Sequence, residues 1–248
     1  MSAAESNAPI ALVTGAAKRL GRAAALGLAR AGMDVALHFR ESRNEAEVLA
    51  EEIRAMGRRA WTFGADLAEE GAADALATNA EDGAGPIDVL VNNASIYPED
   101  RLNDLSESSL AENIRVNAWV PFALARRVAA QGRPACVVNV LDTRIRDYDA
   151  RHVAYHLSKR MLFSLTRMMA LEYAPRVRVN AIAPGLVLPP PGKSEAYLAE
   201  LSPTNPLNTH GEAEDVVRAI RFLVEGTFVT GQVIYIDGGR HMLGGLYD

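Results

Sequence analysis

The sequence predicts a doubly wound α/β domain, a single-domain Rossmann fold with a seven-stranded parallel sheet covered by helices on both faces. Three observations predict it. Seven short apolar runs rich in β-branched residues recur along the chain, segments of helical spacing lie between them, and the runs are apolar throughout rather than alternating. The runs cover residues 10–13, 35–39, 60–63, 89–91, 136–140, 177–182 and 233–236. With 248 residues the chain is long for one domain, yet it stays within the range of a single α/β unit, and no stretch reads as a linker.

Taken in order, the first run is followed by helix-forming residues 22–31 and a stop at Gly32. After the second run, residues 45–56 place Ala46, Leu49, Ala50, Ile53 and Met56 at intervals of three or four, and Gly57 ends the helix. Repetition of strand, helix, strand implies right-handed crossovers. The most irregular stretch is 184–209, with prolines at 189–191, 203 and 206 and a short helix expected over 195–201. It reads either as a mobile flap over a site or as a static surface loop.

Composition narrows the function classes. Hydrophobic types make up 49% and charged types 23%, which excludes disordered, collagen-like and coiled-coil chains. Against 31 Asp+Glu stand 26 Lys+Arg, a net charge of −5, so bulk attraction to nucleic acid is not expected. The single cysteine, Cys136, lies in an apolar run and reads as a buried, inert thiol. Residues 1–10 lack the basic start and apolar block of a signal peptide, and nowhere do 18 apolar residues run together. A cytoplasmic protein without a membrane partner is therefore expected. Histidines 38, 152, 156, 210 and 241 show no paired ligand spacing, so no metal is assigned. Met161, Met168 and Met169 are expected to pack within the helix or at a subunit contact, and the tail 244–248 near a neighbouring subunit.

The loop after the first run reads Thr14-Gly15-Ala16-Ala17-Lys18-Arg19-Leu20-Gly21. Gly15 permits a tight turn, Gly21 lets the following helix pack closely on the sheet, and the amides at the helix N-terminus are left for a pyrophosphate. The second run ends Leu37-His38-Phe39-Arg40, without the acidic residue that an NAD site would offer to the adenine ribose. Arg40, with Arg19 and further Ser42 and Arg43, can instead clamp a 2′-phosphate, which favours NADP(H); the alternative is a solvated charged turn. Glu41 weakens the clamp. Asp66-Leu67 follows the third run and Asn92-Asn93-Ala94 ends the fourth. Each alone is a turn signal, but together they gather at strand C-termini, where a ligand crevice forms.

On the helix after the fifth run, Tyr155 and Lys159 stand four residues apart and share a face. An ammonium near a phenol favours phenolate and lowers its pKa, so the pair suits proton exchange near neutral pH. Asp142 lies thirteen residues before Tyr155, and Asn117 sits mid-helix after the fourth run.

With these motifs the sequence resembles the short-chain dehydrogenase/reductase family over nearly its whole length. The resemblance rests on Thr14-Gly15…Gly21, Asp66-Leu67, Asn92-Asn93-Ala94, Asn117, Tyr155-xxx-Lys159, Asn180-xxx-Pro184-Gly185 and Thr230-Gly231-Gln232…Asp237-Gly238-Gly239. It implies hydride transfer with a nicotinamide cofactor. Tyr155 would give the proton, Lys159 would hold the nicotinamide ribose, and Asn117 would support a relay water. It also implies a homotetramer and one domain over 1–248, its nucleotide-binding half about 8–140 and its catalytic and substrate half about 141–248. Gly15, Arg19, Leu20, His38, Arg40, Asp66, Leu67, Asn93, Ala94, Tyr155, Lys159, Pro184 and Gly185 are the candidate cofactor contacts.

Two departures from the family pattern sharpen the expectation. Arg19 stands where the middle glycine of the loop is usual, and Asp142 where a serine is usual. An ionised carboxylate opposes the charge that develops on a ketone oxygen, so simple ketone reduction is disfavoured. The same carboxylate suits a substrate with N–H donors, such as a pterin. The chain thus resembles the pteridine reductase branch, which implies an NADPH-dependent reduction of a dihydropterin served by Asp142, Tyr155 and Lys159. By the same resemblance Arg19, Ser95, Tyr97, Asp142 and Tyr155 are the candidate substrate contacts, with Tyr97 as the aromatic that sandwiches the ring. Asp142 also has a plain alternative, capping a helix or pairing with Arg144 or Arg146 in the pocket of another carbonyl or imine reductase. A non-catalytic NADPH-binding module is a third possibility, disfavoured by the intact Tyr155 and Lys159 pair.

Overall fold

The structure, a computed structural model, describes residues 8–190 and 192–243. Expectations placed on residues 1–7, on Pro191 and on the tail 244–248 lie outside the described residues. Among the described residues seven strands form one parallel sheet: β1 (Ile10–Val13), β2 (Asp34–Phe39), β3 (Ala60–Gly64), β4 (Val89–Asn92), β5 (Ala135–Val140), β6 (Val177–Pro184) and β7 (Val233–Ile236). Their order is β3-β2-β1-β4-β5-β6-β7. The helices are α1 (Arg19–Arg30), α2 (Arg43–Ala55), α3 (Ala72–Ala84), α4 (Glu107–Ile114), α5 (Val120–Ala130), α6 (Val153–Glu172), α7 (Glu195–Leu201) and α8 (Ala213–Glu225). None is long and apolar enough to cross a membrane.

Each strand feeds two cores because successive side chains point to opposite faces. Ala11 and Val13 of β1 pack with Leu28, Leu49, Ile53 and Ile220 on one face, and Ile10 and Leu12 pack with Leu76, Leu124 and Val137 on the other. That division explains the uninterrupted apolar runs: on the central strands neither side meets water, and the edge strands β3 and β7 are partly exposed. Fully burying each of these Leu or Ile side chains stabilises the fold by about 1.5–3 kcal/mol before entropy is counted. Cys136 belongs to the first core, and burial pushes its thiol up to about 11. Met169 is buried, whereas Met168 is 63% exposed.

Strand order reverses beside β1, which pairs with β2 on one side and β4 on the other. Two chain crossovers leave in opposite directions there, and a crevice opens at the strand C-termini. Between α4 and α5 the helix widens by one residue over Arg115–Trp119, where the Val120 N–H reaches back five residues to the Arg115 carbonyl. Such a π-type turn re-aims the side chains within it, here turning Asn117 fully inward.

Candidate active site

At the nucleotide end, neutral side chains fasten the loop after β1. Thr14 Oγ1 accepts from the Asn93 and Ala94 amides at 2.9 and 3.0 Å, and Asn93 Nδ2 donates to the carbonyls of Thr14 and Gly15 at 2.9 and 3.1 Å. Gly15 has a left-handed φ of +61°. A Cβ on Gly21 would collide with the Gly15 carbonyl and come within 2.6 Å of Asn93 Nδ2, so only glycine fits.

His38 works as a strut. Its Nδ1 accepts from the Gly15 amide at 3.0 Å and its Nε2 faces the Ala65 carbonyl at 3.1 Å. Those partners require the neutral ring with its proton on Nε2. Burial, opposed by the Ala65 carbonyl and Asp66, accordingly holds the ring below the usual histidine pKa.

A cleft of about 200 Å³ opens beside this strut, lined by Gly15, His38, Arg40, Asp66, Leu67 and Ala94 among others. Asp66 is exposed there, and its Oδ1 accepts from the Ala68 amide at 2.9 Å. A second cleft of about 200 Å³ is bounded by Ala17, Lys18, Arg40, Glu41 and Ser42. Arg40 Nε lies 3.4 Å from Glu41, the anion that the sequence placed against the clamp. The Arg43 guanidinium lies over the ring of Phe39, a wall of this cleft, at 5.3 Å, and Lys18, paired with Glu45 at 2.7 Å, lines the cleft too. With its glycine cradle and basic rim, this end fits a nicotinamide dinucleotide.

Arg19 begins α1 with a left-handed φ of +53°, unusual for a residue with a Cβ. Its Nη2 donates to the Pro189 carbonyl at 2.8 Å, tying the loop after β1 to the proline-rich segment. Leu20 packs against the first core. Pro184 ends β6, and the Gly185 amide donates to the Ile236 carbonyl at 2.9 Å. A Cβ on Gly185 would come within 2.9 Å of the Asp237 backbone.

At the chemical end Asp142 follows β5 in extended conformation and opens a short turn, Thr143–Arg146. Its two oxygens have different tasks. Oδ1 accepts from the Arg144 amide at 2.8 Å, and Oδ2 accepts from the Tyr155 hydroxyl at 3.0 Å. Asp142 thus caps the turn, as its plain alternative expected, and reaches Tyr155 at the same time; the Arg144 guanidinium bonds Asp149 at 2.7 Å, and its charge acts on Asp142 as well.

Tyr155 and Lys159 rise from adjacent turns of α6. Lys159 is 3% exposed, donates to the Val140 carbonyl at 2.8 Å and stands 5.6 Å from the centre of the Tyr155 ring. The start of α6 is satisfied by two carboxylates, one local and one distant in sequence. Asp149 Oδ1 accepts from the Arg151 and His152 amides, and Asp100 Oδ1 accepts from the Ala154 amide at 3.2 Å.

Charge at this end departs from the expectation that Lys159 lowers the tyrosine pKa. Burial pushes Tyr155 well above the usual phenol value, and the Asp142 carboxylate adds to it. Arg144 opposes the shift weakly. An anion bonded to the hydroxyl disfavours phenolate more directly than an ammonium across the ring favours it. Lys159 is itself pushed down to about 8 by burial, against the pull of Asp142.

Asn117 is fully buried. Its Oδ1 accepts from Ser95 Oγ at 3.0 Å and the Ile96 amide at 2.9 Å, and its Nδ2 donates to the Ile96 carbonyl and Ser158 Oγ, each at 3.0 Å. The side chain is thus engaged by protein groups, so a relay water at this residue would have to bond its main chain. Tyr97 stacks on His152 with ring centres 3.8 Å apart and meets Tyr155 edgewise at 4.5 Å. The structure brings Ser95, Asn117, Tyr97, Asp142, Tyr155 and Lys159 to one end of the crevice. Sequence reasoning did not assign Thr14, Lys18, Asp100, Asp149 or His152. The charge-dense stretch 144–152 was the one visible hint of a built loop.

Comparison with known proteins agrees with this architecture. A family model described as Enoyl-(Acyl carrier protein) reductase matches residues 15–241. An uncharacterized oxidoreductase of Mycobacterium tuberculosis is 36% identical over 242 residues, 93% of this chain and 91% of that protein. The 3-oxoacyl-[acyl-carrier-protein] reductase FabG of Staphylococcus epidermidis is 30% identical over 240 residues, 94% of this chain and 98% of its own. Among solved structures, FolM Alternative dihydrofolate reductase 1 from Brucella canis, complexed with NADP, superposes with a TM-score of 0.89 at 36% identity, covering 95% of this chain and 94% of that one. The glycine cradle, the Tyr155 and Lys159 pair and these matches make the chain a member of the short-chain dehydrogenase/reductase family, oxidoreductases that bind nicotinamide cofactors.

Proposed function

We propose that the chain is an NADPH-dependent reductase that carries a dihydropterin to the tetrahydropterin. The observation that supports this reading above others is the hydrogen bond of 3.0 Å from the Tyr155 hydroxyl to Asp142. A carboxylate beside the proton-giving phenol opposes charge on a ketone oxygen and accepts from the N–H edge of an aminopyrimidinone. The likeness to two FolM proteins, from Brucella canis and Brucella suis, both in complex with NADP, supports the same substrate class.

Gly15, Arg19, Leu20, His38, Arg40, Asp66, Leu67, Asn93, Ala94, Pro184 and Gly185 would hold the dinucleotide, with Lys159 and Tyr155 at the nicotinamide ribose. NADPH, when bound, supplies the hydride. Tyr155 holds a proton on its hydroxyl, and burial keeps it there across neutral pH, ready for the ring nitrogen. Asp142 orients that hydroxyl and offers its carboxylate to substrate N–H groups. Arg19, Ser95 and Tyr97 bound the pterin, and Asn117 locks the Ser95 turn against α6. Trp119, Met161, Met168 and Leu171 leave exposed apolar surface on the α5 and α6 side, which fits burial in a cytoplasmic homotetramer.

The test is NADPH oxidation by purified protein with a dihydropterin and, separately, with a 3-oxoacyl thioester. Turnover of the dihydropterin that is lost in Asp142→Ser is the expected result. Brisk turnover of the thioester alone would favour the second reading, a 3-oxoacyl reductase, which the likeness to FabG supports.

A further inference from the structure

Residues 142–155 close a ring of contacts around the site. Tyr155 donates to Asp142 Oδ2, and Asp142 Oδ1 accepts from the Arg144 amide. The Arg144 guanidinium binds Asp149 Oδ2 at 2.7 Å, and Asp149 Oδ1 accepts from the His152 amide at 3.1 Å. His152 stacks on Tyr97, and Tyr97 returns edgewise to Tyr155. The Asp149 side chain is 6% exposed and that of Arg144 30%, so the ion pair is largely shielded from water and its geometry is tightly held.

We propose that Arg144 and Asp149 are positioning residues for the reduction, acting through Asp142 by fixing its carboxylate on the Tyr155 hydroxyl. The proposal rests on the reading of Asp142 given above. Without the guanidinium, the Asp142 and Asp149 carboxylates lose the cation they share, and the turn between them loses its tie to the start of α6. Asp142 is then drawn away from a buried phenol toward solvent. The other groups facing Tyr155, namely Tyr97 and Lys159, give Asp142 no second anchor: Lys159 donates instead to the Val140 carbonyl.

The experiment is a double-mutant cycle of Arg144→Met and Asp142→Asn. Arg144→Met alone is expected to lower kcat roughly ten- to hundredfold, while the NADPH Kd moves by less than about twofold. The double variant should be no slower than Asp142→Asn alone, because the residue through which Arg144 acts is already disabled. Losses that multiply in the double variant would mean a merely structural role and overturn the proposal. Asp149→Asn breaks the same pair from the other side and should show the same non-additivity. If neither single variant unfolds cooperatively, the pair is a folding element and the proposal fails.

Wild-type turnover separates this inference from the substrate reading. Should the dihydropterin not be reduced, that reading falls by itself, and the cycle is read on the 3-oxoacyl thioester. Independently of substrate, a crystal structure of Arg144→Met in which Asp142 still accepts from Tyr155 would also overturn it.

Discussion

At the nucleotide end, Thr14, Asn93 and His38 fasten a loop through neutral hydrogen bonds, most of them to main chain. At the chemical end, Asp142, Arg144, Asp149 and Lys159 arrange a phenol through charges held out of water. Neutral bonds to backbone set a shape that hardly responds to pH or salt. Charges in a low-dielectric setting couple shape to protonation, so one altered group shifts the others. The crevice thus joins a fixed cradle to a tunable reaction site, and each half should fail in its own way.

The largest effect is expected at the tunable half. Tyr155→Phe removes the proton source and should lower kcat by about 10²–10⁴-fold while NADPH titrations change little. A comparable effect on affinity for the cofactor in the same variant would erase the contrast between the halves. Next comes the cradle. Gly21→Ala puts a Cβ into the Gly15 carbonyl, and the strain should cost about 1–3 kcal/mol, read as a lower Tm and weakened NADPH binding.

Acidity then separates the two ends. Lys159 titrates near 8, so raising the pH discharges its ammonium. NADPH affinity should fall roughly tenfold between pH 7 and pH 9, and Lys159→Met should abolish that dependence. Folding responds with the opposite sign. The unfolded chain binds the lysine proton up to its ordinary value of 10.5 and the folded chain only to about 8, so this group's contribution to stability rises with pH between them. The smallest effect is expected at the rim: Glu41→Gln frees Arg40 of its anion and should tighten NADPH by about two- to threefold at low salt, fading as salt is added.

What the sequence disclosed follows from the same contrast. The central strands were legible because both of their faces are dry, and the glycine loop and the Tyr155 and Lys159 pair because each depends on residues a few positions apart. Strand ends were less so: β2 begins at Asp34 because Arg59, distant in sequence, meets that buried carboxylate through its amide and guanidinium at 2.7 Å. Lys18 was missed at the rim because spacing does not say which basic side chain a loop turns toward a cleft. The direction of the Tyr155 shift was missed for a similar reason. Spacing announces an ammonium one helical turn away, but not which side chain touches the hydroxyl, and the touching group decides. The partnership of Arg144 with Asp149 depends on how a non-periodic loop folds back, which periodicity does not encode.

The widened turn at Arg115–Trp119 protects its occupant in an unusual manner. A point mutation can replace Asn117, yet no point mutation readily restores ordinary winding, since the surplus is a peptide unit rather than a side chain. Deleting that one surplus residue would let the helix resume ordinary winding with the apolar stripe of α5 still on the sheet, but Asn117 would lose its inward aim. Any other change of length in this helix would rotate α5 by about 100° per residue and swing its apolar stripe off the sheet, so the core tolerates the loss of the surplus unit and no other.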